Sequence, residues 1–99
     1  MVRHVVFMTF NEGVEAEART DLIEKLYAMA DTVEVIRALE VGQNFAEAPS
    51  ACDLVLMVDV DNEDALDLYN DHPNHVPVSE LVMQLCSATY VVDYEIAMG

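Results

Sequence analysis

Residues 2–10 (Val2-Arg3-His4-Val5-Val6-Phe7-Met8-Thr9-Phe10) read as a β-strand whose two faces are both largely apolar. Successive side chains of a strand point to opposite sides. One face therefore carries Val2, His4, Val6, Met8 and Phe10, and the other Arg3, Val5, Phe7 and Thr9. Such a strand needs cover on both sides. In 99 residues the few helices available can cover one face, so a second copy of the chain is expected to cover the other. Composition presses the same way: 54% of the residues are hydrophobic, against about 45–50% in ordinary soluble domains. A chain this short buries only roughly 60–65% of the surface its unfolded form exposes. The excess is expected both to line a ligand cavity and to be buried between two copies.

The rest of the chain alternates between helical and extended patterns within one domain spanning residues 1–99. Asn11-Glu12-Gly13 signals a turn. From Glu15 to Ala30, Ala18, Leu22, Leu26, Met29 and Val33 recur at three- and four-residue steps, with Ile23, Tyr27 and Ala30 widening the stripe. Val35 to Val41 is predicted as a second strand, and Ala46 to Ser50 as a loop. In a third strand, Cys52 to Val60, Leu54, Leu56, Val58 and Val60 alternate with Asp53, Val55, Met57 and Asp59. Asn62 is placed to cap a second helix that Pro73 ends. Val78 to Cys86 is predicted as a short helix, and Ala88 to Ile96 as the last strand. The order β-α-β-β-α-β, with the second helix broken at the proline, predicts an α+β, ferredoxin-like fold. Its four-stranded antiparallel sheet would carry both helices on one face.

Charge excludes several function classes. Four Lys plus Arg stand against nineteen Asp plus Glu, a net charge of −15, which repels nucleic acid and anionic membrane surfaces. The acidity reads either as a solvated, aggregation-resistant surface or as adaptation to high salt, to which the single lysine, Lys25, points. Cys52 and Cys86 lie among apolar neighbours and read as small buried hydrophobes rather than a disulfide framework. Apolar runs fall short of the roughly 20 residues a membrane span needs. With no secretory signal recognised, a cytoplasmic location is expected. A phosphate-binding glycine loop, a serine nucleophile elbow and a paired-cysteine motif are all missing from the sequence, and no cofactor is expected.

Candidate site residues come from the histidines and one tyrosine. His4 interrupts an apolar strand face, where a buried imidazole needs a partner; it is either a satisfied core residue or part of a cavity wall. Tyr69 follows Leu66 by one helical turn and should face the sheet with it, as a core aromatic or a pocket hydroxyl. His75 lies just past Pro73, as a structural histidine or a pocket base. His72 is expected to close the helix, its ring bonding a free carbonyl or reaching solvent. His72 and His75 have ligand-like spacing, but Pro73 breaks the helix that would align them and no third ligand is evident, so no metal site is expected. If His4, Tyr69 and His75 converge on the helix-covered side, they form the polar end of an apolar cavity, with Val6, Met8, Ile23, Leu26 and Tyr27 as its body. Neutral His75 would then take a proton from a carbon beside a carbonyl. Tyr69 would hydrogen-bond the developing oxyanion, and His4 would orient His75 or the substrate.

Arg3-His4-Val5-Val6, Leu39-Glu40-Val41-Gly42, Tyr69-x-x-His72-Pro73-Asn74-His75-Val76 and Val92-Asp93-Tyr94 occur in this order along the chain. Together they resemble the stress-responsive A/B barrel (Dabb) family, with His-Pro-x-His-Val the most specific piece. The resemblance implies a dimer whose two sheets curl into one α+β barrel. A branch of that family, the plant polyketide cyclases of the olivetolic acid cyclase type, uses a Tyr and a His that fall on Tyr69 and His75; a first-strand pocket histidine falls on His4. Asn74 stands where Ala is common. The resemblance implies a hydrophobic small-molecule ligand and, if the protein is an enzyme, a cofactor-independent lyase or cyclase. The alternatives are a non-catalytic stress-related binding dimer and a haem-degrading or quinol-type monooxygenase of the same superfamily.

Overall fold

A computed structural model describes residues 1–97. The elements run β1 (Val2–Phe10), α1 (Ala16–Thr32), β2 (Ala38–Gln43), β3 (Leu54–Val60), α2 (Glu63–Asp71), α3 (Val76–Leu85) and β4 (Cys86–Glu95). The strands form one antiparallel sheet in the order β2-β3-β1-β4, the ferredoxin-like arrangement that the element order predicts. The two-faced β1 sits inside the sheet, where both of its edges are paired.

Opposed residues of an antiparallel ladder share a face, so the register assigns the two sides. His4 pairs with Val58 and Asp93, Val6 with Leu56 and Val91, and Met8 with Leu54 and Thr89. This side packs under the helices. Val2, Met8, Phe10, Leu54, Leu56, Val58 and Val60 meet Leu22, Leu26, Met29 and Val33 of the α1 stripe and Ala65, Leu66 and Tyr69 of α2. The α1 stripe is narrower than the sequence suggests: Ile23 is half-buried, and Tyr27 and Ala30 are exposed. The other side places Arg3 beside Tyr94 and Asp59, Val5 beside Val92 and Met57, and Phe7 beside Tyr90 and Val55. Tyr90 is 69% exposed and Val92 49%, so an apolar sheet face lies open to solvent in the single chain.

Local chemistry explains the boundaries. Gly13 takes a positive φ of 82° in the turn after β1, a conformation glycine adopts without steric cost. Asn62 caps α2, its Oδ1 accepting from the Ala65 amide at 2.9 Å. Pro77 fits the first turn of α3, where its missing N–H is no loss. β2 begins at Ala38 rather than Val35, because Val35 and Ile36 turn the chain and pack against the core instead of pairing. β3 begins at Leu54 rather than Cys52. Asp53 instead ties the loop to β1, its amide donating to the Met8 carbonyl and its carboxylate accepting from the Phe10 amide, each at 2.8 Å.

Candidate functional site

Between the helix-covered side of the sheet and α3 lies a cavity of about 250 Å³. β1 contributes His4, Val6 and Met8; α1 contributes Leu26 and Met29, and α2 contributes Tyr69. His75 starts α3, whose Val78, Val82 and Met83 form the far wall, and Thr89 and Val91 of β4 border the opening. The three polar residues singled out in the sequence therefore share one wall. The Tyr69 ring stands between the two imidazoles, with centroids 5.4 Å from His4 and 4.3 Å from His75.

Their surroundings fix what each can do. Nδ1 of His75 lies 3.0 Å from the Asn70 carbonyl oxygen. A carbonyl can only accept, so Nδ1 holds the proton and Nε2 keeps its lone pair. Burial lowers the His75 pKa below its ordinary 6.5, and the nearby His4 and His72 lower it further, against the opposing pull of the Asn70 carbonyl. The ring is thus a neutral base near pH 7. Nδ1 of His4 lies 2.5 Å from Oδ1 of Asp93, its direct cross-strand neighbour, so the carboxylate accepts and Nε2 is left unpartnered. Tyr69 is fully buried and its hydroxyl has no hydrogen-bond partner among the described residues. Burial, and then the Asp93 charge, push its pKa up, so the phenol remains a donor.

Two of the residues expected to shape the cavity lie elsewhere. Tyr27 is 46% exposed; its hydroxyl donates to the Val41 carbonyl at 3.1 Å, fastening α1 to β2. Ile23 packs at the margin of the core and does not reach the lining. Both project from the flank of α1 rather than the stripe centred on Leu22, Leu26 and Met29. His72 bonds neither a carbonyl nor solvent alone: Nε2 donates to Glu34 at 3.0 Å and Nδ1 accepts from the Asn74 amide at 3.0 Å. It closes the α2–α3 corner. Among the described residues no cluster of three His, Cys, Asp or Glu side chains is arranged to hold a metal ion.

The sequence assigns no site role to Asp93, to Met29 or to the apolar face of α3. A signal for Asp93 exists: Val91, Asp93 and Glu95 alternate with Tyr90, Val92 and Tyr94 along β4, which puts a carboxylate on the helix-covered side. A larger, shallower groove of about 540 Å³ runs between α1 and α3. Two of its polar groups are already engaged, Lys25 with Asp21 and Asn74 with the Thr32 carbonyl, and it has no counterpart of the Tyr69 hydroxyl.

An uncharacterised protein of Streptomyces coelicolor is 34% identical over 98 residues, covering 96% of this chain and 99% of that protein. A dimeric protein of unknown function and ferredoxin-like fold from Bacteroides fragilis superposes with a TM-score of 0.79 at 28% identity, covering 96% of this chain and 95% of the other. The hydroxynitrile lyase of Passiflora edulis shares the fold with a TM-score of 0.90 at 12% identity, over 99% and 94% of the two chains. Residues 2–96 match the Stress responsive A/B Barrel Domain, a span that takes in every strand and helix described above, and the chain belongs to that family.

Proposed function

We propose that the cavity binds a hydrophobic small molecule with a carbonyl group and removes a proton from the adjacent carbon, as a cofactor-independent lyase or cyclase. The observation that carries this reading is the Tyr69 hydroxyl, wholly buried, without a partner, and set in a cavity wall between two imidazoles. Leaving a hydroxyl unpaired in the interior costs about 1–3 kcal/mol; a bound carbonyl oxygen would supply the missing acceptor. His75 Nε2 takes the proton, the C–H electron pair moves into the carbonyl, and Tyr69 donates to the enolate oxygen as charge builds there. His4, held through Nδ1 by Asp93, orients the substrate from the other side. The Passiflora lyase has the same frame, which supports the reading at the level of fold alone.

The working unit is a homodimer in the cytoplasm, with the two open sheet faces closed on each other. Solvent-deuterium incorporation into the methyl group of acetophenone, followed by proton NMR, tests the chemistry. The wild type should accelerate exchange, and Tyr69→Phe and His75→Ala should each lose about 10²-fold or more of that acceleration. Equal exchange in wild type and both variants would leave a binding protein, not an enzyme.

A further inference from the structure

The chain has four cationic side chains, and each is engaged away from the cavity. Arg3 forks onto Asp59 at 2.8 and 3.0 Å on the open sheet face. Arg37 forks onto Asp61 at 2.9 and 2.8 Å, and Lys25 pairs with Asp21 within α1. Arg19 lies over the Phe10 ring, 4.6 Å from its centroid, and donates to the Val14 carbonyl. None of the four lines the cavity. The charged group that does reach the polar wall is an anion, Asp93, which sits against Nδ1 of His4.

An anionic ligand would have to give up much of its water in a half-open, largely apolar cavity without a counter-ion, which is costlier than burying a neutral polar group that finds a hydrogen bond. It would also approach a chain of net charge −15. The donors that line the cavity, Tyr69 with Asn70, Ser79 and Thr89, are all uncharged; they can bond a carbonyl or amide oxygen but give a carboxylate no counter-charge. A volume of about 250 Å³ lies below the usual range of small-molecule sites and suits one ring with a short substituent. Resting on the ligand-site reading above, we infer that this cavity selects small uncharged carbonyl or amide compounds and excludes carboxylates and phosphates of the same shape.

Benzamide and benzoate, nearly identical in outline and different in charge, test this with the full-length protein. Binding is read from the ring-proton NMR signals of His4 and His75 at a pH well above the imidazole range, in low and in high salt. The inference predicts saturable shifts with benzamide and at least about tenfold weaker binding of benzoate in both salts. Asp93→Asn, which removes the anion behind His4, should narrow the gap. Benzoate binding as tightly as benzamide would overturn the charge selection and leave the site itself standing. A gap that vanishes in high salt would overturn it too, because salt screens the field of the surface and not the cost of entering the cavity. If neither probe moves the histidine signals up to its solubility limit, the ligand-site reading fails and this inference fails with it.

Discussion

Two imidazoles and a phenol are brought together by three different elements, partly or wholly out of water. His75 illustrates the consequence for pH. Its pKa is held below the ordinary 6.5 mainly by burial, so the folded protein disfavours the charged ring. The resulting stability is fully present above 6.5 and drains away as pH falls through the lowered value. With His75 Nε2 as the proposed base, exchange activity should persist below pH 6.5 and then collapse, and a rate profile across the acid range checks this. An acid limb above 6.5 would identify a different base. His4 and Tyr69 stand at positions the apolar pattern marks as inward, whereas no pattern places His75, which the turn after α2 brings against Tyr69. Tyr27 misleads for the converse reason. An aromatic at helical spacing looks like cavity lining, but its hydroxyl found the Val41 carbonyl at the surface, and periodicity carries no information about such a bond.

At the scale of elements, the strands and helices follow from periodicity, and the errors lie at their ends. Val35 and Ile36 have strong strand propensity, yet the turn leaving α1 consumes them; tertiary packing against the core outweighs local preference. The cap at Asn62 is the opposite case, a boundary written in a single residue. Asn62→Ala should lose the bond to the Ala65 amide and cost about 1 kcal/mol of stability, measured by denaturant unfolding. Because α2 carries Tyr69, fraying there should also weaken binding in the cavity. The break between α2 and α3 is equally readable from Pro73 and Pro77, but the corner's lock, His72 between Glu34 and the Asn74 amide, joins residues far apart in sequence. No spacing rule reveals it.

For the whole molecule, β1 has to be covered twice, and the fold supplies one cover. The helices take the side of Val2, Met8 and Phe10, leaving Val5, Phe7, Val55, Met57, Tyr90 and Val92 on a shared open face. Val92→Asp puts a charge in the middle of that face, opposite Val5. Sedimentation should then change from dimer to monomer without loss of helical signal in circular dichroism; an unchanged dimer would show that the copies meet elsewhere. Architecture of this kind is legible from sequence because it depends on which residues alternate and how many there are. A cavity under the helices is expected from the same pattern, but its size is not, because that depends on how far α3 stands from the sheet. Whether Tyr69 is kept buried and unpaired for a ligand is decided by the thermal unfolding midpoint and the deuterium-exchange rate of one Tyr69→Phe sample. Removing an unsatisfied hydroxyl should leave the midpoint unchanged or raise it, while exchange falls about 10²-fold. A lowered midpoint with exchange intact would make the hydroxyl a structural group and contradict the account.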